Sequence, residues 1–218
     1  VMRNGIDAQF FAPEAVAPQP TLFGPGPNIV FTGQMDYAPN VSAVERMVQR
    51  ILPGIRETRA GAEFHIVGRA PTPAVKALGR QDGVTVWGEV PDVRPFLAEA
   101  DIVAAPLTIA RGIQNKVLEA MAMAKPVLLS PEAATGIDAE DGVHFAVAEG
   151  DRMMVGRALS LIEDRARAKA MGDAARAFVL AEQSWSAMLG GLGELLRPSA
   201  ETGATTSSAA DDPVRNAA

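Results

Sequence analysis

The sequence predicts an α/β protein: a doubly wound parallel sheet with helices on both faces. Three observations carry this. Short apolar runs of strand length recur along the chain, several closing on a glycine or a proline. Longer stretches with apolar residues at helical spacing lie between them. The strand-like runs are apolar throughout rather than alternating, as expected of strands covered on both sides.

In order, residues 5–28 are rich in proline and glycine and end F-G-P-G-P-N, which is linker chemistry. This glycine pair is no dinucleotide fingerprint, because it precedes its strand and lacks the third glycine. N-I-V-F-T-G (28–33) reads as the first buried strand. The segment 41–53 carries apolar residues at 41, 44, 48, 51 and 52, a helical period ending at Pro53. E-F-H-I-V-G (63–68) is a strand, 71–79 a short helix, V-T-V-W-G (84–88) a strand and 93–100 a helix. D-I-V-A-A-P (101–106) is a strand, 116–124 a helix, and P-V-L-L-S (126–130) a strand. H-F-A-V-A (144–148) is a short strand. Helices follow at 151–164, near 165–180 and at 184–196. The tail from Pro198 to Ala218 is small and polar, and reads as disordered. The expected division is 1–27 linker, 28–180 domain, 181–197 final helix and 198–218 tail.

The composition narrows the chemistry. The 218 residues suffice for one good-sized core. There is no cysteine, which excludes disulfides and thiolate chemistry, and two histidines make a multi-histidine metal centre improbable. The net charge of −6 supplies no basic face for nucleic acid. No apolar run approaches the roughly 18 residues needed to span a bilayer. The opening V-M-R-N-G-I-D has no signal-peptide pattern, and a first residue other than methionine reads as part of a longer chain.

Ligands of open parallel sheets bind beyond the carboxyl ends of the strands. The richest loop there is L-T-I-A-R-G-I-Q-N-K-V-L-E-A-M-A-M-A-K-P-V, residues 107–127. Gly112 permits close backbone approach. A helix starting near Gln114 or Asn115 presents free amides that favour a phosphate. Arg111 and Lys116 add positive charge. Glu119 lies one turn beyond Lys116 on the same helix face, where a carboxylate can accept hydrogen bonds from two ribose hydroxyls. The set reads as a sugar-nucleotide site, and the plain alternative is a surface Lys–Glu pair near a helix end.

The segment R-G-I-Q-N-K-V-L-E-A-M-A-M-A-K-P-V resembles the donor-site motif of GT-B glycosyltransferases, in particular the retaining group often called family 4. There a glutamate precedes Glu-Ala-Met-Ala, a small residue and Gly-Lys-Pro-Val. N-G-I-D-A-Q-F-F-A-P, I-V-F-T-G-Q-M-D-Y-A-P-N, F-H-I-V-G-R-A-P and V-W-G-E-V-P-D-V-R-P-F-L-A-E-A-D-I-V-A-A-P-L resemble other family segments, in the family's order, from about residue 3 to 190. The Met-Asp-Tyr-x-Pro-Asn and Gly-Ile-Gln-Asn-Lys variants are similar to exopolysaccharide-associated sugar transferases.

The resemblance implies a Rossmann-like C-terminal half of a GT-B fold. It implies a nucleotide-sugar donor, a glycan or lipid-linked acceptor, retention at the anomeric carbon, and no cofactor or required metal. By position, Glu119 matches the ribose-binding glutamate. Lys116 and the amides of Gly112, Ile113, Gln114, Asn115, Lys116 and Val117 match the diphosphate contacts. Gly33 matches the turn facing the diphosphate. Gly68 closes the next strand, and Arg69, Glu89 and Val90 lie where the nucleobase packs. Three departures stand out. Arg111 occupies the place of the first glutamate, Gln34 that of the usual arginine after Gly33, and Asn40 that of the lysine beyond it. Arg111 and Lys116 are then the expected charge-neutralising, catalytic pair. Ala124 replaces the customary glycine before Lys125. The family's acceptor domain lies N-terminal to this region, and its last helix crosses back to that domain.

Other features have plainer readings. His65 and His144 are expected to be packed structural histidines, and Trp185 to anchor the last helix. One of Met121 and Met123 is expected to pack on the sheet. R-A-R-A-K (165–169) is a solvated helix face, with contact to anionic lipid as the alternative. The expected location is cytoplasmic, free or peripheral at the inner membrane face. Two rivals stand beside the enzyme. One is a non-catalytic nucleotide-binding module, favoured by Arg111 and the replaced cations. The other is a nicotinamide enzyme, which needs a glycine-rich turn where T-G-Q-M-D-Y has one glycine.

Overall fold

The computed structural model describes residues 5–19, 22–185 and 187. It contains a parallel sheet of six strands: β1 (Asn28–Thr32), β2 (Glu63–Val67), β3 (Val84–Gly88), β4 (Ile102–Ala105), β5 (Val127–Leu129) and β6 (Ala146–Val147). The order is β3-β2-β1-β4-β5-β6. Succession runs one way from β1 through β2 to β3, then restarts beside β1 at β4 and runs the other way. Right-handed crossovers therefore place the two sets of helices on opposite faces, which is the expected doubly wound architecture. The crevice between the departing chains of β1 and β4 is the switch point.

The helices are α1 (Ala38–Arg46), α2 (Leu52–Thr58), α3 (Pro73–Leu78), α4 (Arg94–Glu99), α5 (Asn115–Ala122), α6 (Pro131–Ala134), α7 (Asp151–Glu163) and α8 (Arg165–Phe178). On one face α2 packs on α7, and on the other α5 packs on α8. Both contacts are close because they use glycine. A Cβ on Gly54 would lie 3.0 Å from Val155, and one on Gly172 would lie 2.1 Å from the Ala124 carbonyl oxygen. All of β1 is buried, with Ile29, Val30 and Phe31 fully so. Burial of apolar surface, worth about 25 cal/mol per Å² removed from water, is the main stabilising term.

Pro53 does not end its helix. The chain passes from α1 through a wider π segment, Met47–Ile51, directly into α2. Pro53 lacks the N–H that would reach Gln49, and the preceding turn widens so that Leu52 bonds the Met47 carbonyl instead. Pro53 then sits in the first turn of α2, where a missing N–H costs little.

The proline-rich N-terminal stretch is also more than a linker. Ile6 and Ala8 are buried in the common core, and Ala12 is buried as well. Ile6 pairs in parallel with Ser184, with Ile6 N–H donating to Gln183 O (2.8 Å) and Trp185 N–H to Ile6 O (3.2 Å). Arg176 on α8 donates to the carbonyls of Phe11 and Ala122 and pairs with Glu14. Of the expected helix 184–196, only residues 184, 185 and 187 are described, and the expected tail lies wholly outside the described residues.

His65 is the packed histidine its strand position suggests. It is buried, stacks on Phe23 at 3.9 Å, accepts at Nδ1 from Trp87 Nε1–H (3.3 Å) and bonds Asn28 Oδ1 through Nε2 (3.0 Å). Both bonds suit a neutral ring protonated at Nε2, and burial lowers its pKa from 6.5 to about 4. His144 accepts from the Glu140 amide and lies beside Phe178, again a structural setting.

Candidate functional site

A cleft of about 520 Å³ opens at the carboxyl ends of β1, β2 and β3, facing the first turn of α5. Two glycine turns form its floor. Gly33 follows β1 and Gly68 follows β2, with φ of 155° and 153°. Their backbones nearly touch: a Cβ on Gly68 would lie 1.6 Å from the Gly33 carbonyl oxygen. No side chain fits there, so the requirement for glycine is steric as well as conformational. Cross-links continue beyond the strands, with Gly33 N–H to Val67 O, Gly68 N–H to Gly88 O and Met35 N–H to Arg69 O. The floor is thus an extension of the sheet.

Lys116 enters from the other side. It stands in the first turn of α5, a helix whose N-cap residue, Gln114, makes no side-chain cap. Its ammonium donates to Asn40 Oδ1 and lies 4.5 Å from the centre of the Phe31 ring. A Cβ on Gly33 would come within 3.0 Å of Lys116 Nζ and 2.8 Å of Asn40 Nδ2. Gly33 therefore makes the space in which these two groups meet. Burial lowers the Lys116 pKa from 10.5 to about 8, opposed by the nearby negative charge of Glu119. Glu119, one turn along, has its pKa raised by burial and lowered by Lys116. Two partly desolvated opposite charges thus share one helix face at the mouth of the cleft. The far end is formed by Arg69, Glu89, Val90 and Val93. Arg69 donates to Gln34 Oε1 at 2.7 Å.

Of the residues singled out in the sequence, Gly33, Gln34, Gly68, Arg69, Glu89, Val90, Ile113, Gln114, Asn115, Lys116 and Glu119 all line this cleft. Three do not. Val117 is fully buried and its N–H already bonds the Gln114 carbonyl, so it belongs to the core and to the helix ladder. Arg111 and Gly112 lie on the exposed outer part of the loop, and Gly112 adopts φ 69° with open space around it. Thr32, Tyr37, Asn40 and Val67 line the cleft without having been marked as site residues. For Asn40 a signal is present in the family resemblance, which expects a lysine at this place. Tyr37 is half exposed at the lip, and nothing in its local sequence distinguishes it from an ordinary surface tyrosine.

Among the described residues no group of three or more histidines, cysteines and carboxylates comes together. No described helix is long and apolar enough to cross a membrane.

A family model described as Glycosyl transferases group 1 matches residues 26–164. Among curated proteins no sequence matches. Several solved structures share the fold. A glycosyltransferase from Rickettsia africae superposes with a TM-score of 0.73 at 17% identity, over 89% of this chain and 55% of that one. HepE of Anabaena, solved with UDP and glucose, gives 0.72 at 16% identity over 90% and 56%. Sucrose-phosphate synthase from Thermosynechococcus elongatus gives 0.71 at 18% over 90% and 51%. The chain spans about half the length of these proteins.

Proposed function

The chain belongs to the group 1 glycosyltransferases, and we propose from this that it is the donor-binding half of an enzyme that moves a sugar from a nucleoside diphosphate to a hydroxyl. The observation that carries the reading is the pairing of Lys116 and Glu119 on the uncapped first turns of α5, opposite Gly33. Lys116 and the helix dipole receive the diphosphate, Glu119 the ribose hydroxyls, and the pocket between Arg69, Glu89 and Val90 the base. HepE, a structural relative, is known with UDP and with UDP-glucose, which supports a nucleotide sugar as the donor class.

In the proposed reaction the anomeric carbon loses its bond to a diphosphate oxygen and gains one to the acceptor oxygen, on the same face. The bonding electrons leave with the nucleoside diphosphate, and the acceptor's hydroxyl proton passes to the departing diphosphate oxygen on the same face. Negative charge grows on the leaving group in the transition state, where Lys116 and the α5 amides stabilise it most. The acceptor, a glycan or lipid-linked precursor of a surface polysaccharide, binds an N-terminal domain that completes the cleft. The reaction needs no metal, takes place in the cytoplasm or at the inner membrane face, and needs that domain. A second reading, a non-catalytic nucleotide-binding module, is favoured by one observation: Arg111 stands at the place of the family's first glutamate but lies outside the cleft lining.

Calorimetric titration of the chain with UDP, GDP and ADP tests the site. One diphosphate is expected to bind, and Glu119→Ala to weaken it about tenfold, the loss of charge-assisted hydrogen bonds to the ribose. Equal affinity in Glu119→Ala, or no binding by any of the three, refutes the assignment. Hydrolysis or transfer of the matching nucleotide sugar by the protein with its acceptor domain separates enzyme from module.

A further inference from the structure

Asn40 uses both ends of its amide inside the cleft. It sits in the first turn of α1, buried, with its own N–H bonded to the Tyr37 carbonyl. Its Nδ2 donates to the Gln34 carbonyl oxygen at 2.9 Å. Its Oδ1 accepts from the Lys116 ammonium. The orientation is forced, because the Gln34 carbonyl can only accept and an ammonium can only donate. Gln34 in turn accepts at its side chain from Arg69. One chain of contacts therefore joins the cation of α5, the turn after β1 and the arginine after β2. A carboxamide fits this place and its neighbours do not. Aspartate has no donor for Gln34, leucine has neither function, and lysine would set a second cation against Lys116.

We propose that Asn40 is a positioning residue, which holds the Lys116 ammonium against Gly33 so that one pre-oriented cation meets the diphosphate. This rests on the reading of the cleft as a nucleotide-sugar site. Holding the cation before the ligand arrives removes the cost of immobilising a flexible lysine on binding. The Phe31 ring lies 4.5 Å from the ammonium and Glu119 on the same helix acts on its charge, while Arg69, Glu89 and the phenol of Tyr37 line the same cleft. Among the described residues, Asn40 is the neutral side-chain acceptor in hydrogen-bond contact with the ammonium.

Two measurements on the 218-residue chain decide this. The first needs no ligand: trace acetylation of Lys116, followed by mass spectrometry across pH, gives the midpoint at which its amine becomes reactive. Wild type is expected near 8. Asn40→Asp places a charge on the ammonium and is expected to raise the midpoint. Asn40→Leu removes the acceptor in a buried place and is expected to lower it. Asn40→Ser, which keeps a shorter acceptor, serves if the leucine variant does not fold and is expected to lower it less. The second is UDP affinity across pH. Asn40→Leu is expected to weaken binding about tenfold at pH 7, one hydrogen bond's worth of lost cation placement. In Asn40→Asp the loss of binding at high pH is expected to move to higher pH with the midpoint. Midpoints unchanged in these variants overturn the proposal whatever UDP does. Midpoints that move as stated, in a chain that binds no nucleoside diphosphate, uphold the clamp and overturn the function proposed above.

Discussion

The two ends of α5 each carry a lysine, and the two are treated in opposite ways. Lys125, just past the C-terminal end, donates to the carbonyls of Ala98 and Ala100, with Asp101 and Glu99 near enough to favour its charge. These are fixed backbone acceptors in the helix C-terminal direction, where a cation also suits the dipole. Lys116, at the N-terminal end, works against that dipole and meets one side-chain acceptor, Asn40. Burial depresses both pKa values. A lysine that stabilises the fold is thus paired with main chain. Lys116, to which the proposed function gives the diphosphate, is paired with a side chain instead, at a helix end that disfavours a cation. The contrast offers a way to tell a structural cation from one that is free to meet a ligand, and it can be tested.

The sharpest way to break this comparison is to remove each ammonium. Lys116→Met is expected to weaken nucleoside diphosphate binding about a hundredfold, or about 3 kcal/mol, while leaving the melting temperature equal or higher. Loss of stability in that variant would make Lys116 a structural residue. Lys125→Met is expected to do the reverse, costing about 2 kcal/mol in urea unfolding because two carbonyls lose their donor, with affinity unchanged within twofold.

The third test uses pH. Because the folded-state pKa of Lys116 lies below its unfolded value, the unfolded chain binds more protons between about 8 and 10.5. Stability of the ligand-free protein is therefore expected to gain from this group as pH rises through that window, by at most about 1.4 kcal/mol per pH unit. Affinity for the diphosphate is expected to fall over the same window, since the neutral amine no longer attracts it. Lys116→Met should abolish the affinity trend and remove this group's share of the stability trend, leaving the share of Lys125, whose pKa burial also lowers; parallel trends in affinity and stability would contradict the assignment.

The smallest effect lies at the other end of the helix. Ala124 adopts φ 53° after the last turn of α5, a conformation that glycine takes freely and alanine does not. Ala124→Gly is expected to raise unfolding stability by about 0.5–1 kcal/mol without touching affinity.

Much of this was legible before any coordinates. Apolar runs mark the strands, most plainly β1, β4 and β5, which are buried along their whole length, whereas the outer β3 is part-exposed and reads Val-Thr-Val-Trp. Their order was legible only as a class, since spatial adjacency leaves no trace in local periodicity. Helix ends were less legible. Pro53 carries a strong stop signal, yet the widened turn before it lets the helix run on. Pro131–Ala134 was missed because a single turn capped by Ser130 is too short to show a period. In the site, the loop before α5 and its first turns stand out by residue type beyond a strand end, whereas Gly33, Gly68, Arg69, Glu89 and Val90 are marked by the family resemblance. Val117 was included with them because an N-terminal amide and a core side chain look identical in sequence, and only the Gln114 bond separates the two. Arg111 was marked by its charge, which says nothing of whether its loop turns inward. Asn40 was seen as a missing cation, and its contact with Lys116 spans 76 positions that no local pattern connects.

The parallel bridge between Ile6 and Ser184 has a mechanical meaning. Tension applied between the segment that enters at Ile6 and the one that leaves at Ser184 loads their backbone hydrogen bonds side by side in shear, instead of peeling them one after another. Whatever tugs on the two strands of chain at this seam is resisted there before strain reaches the sheet.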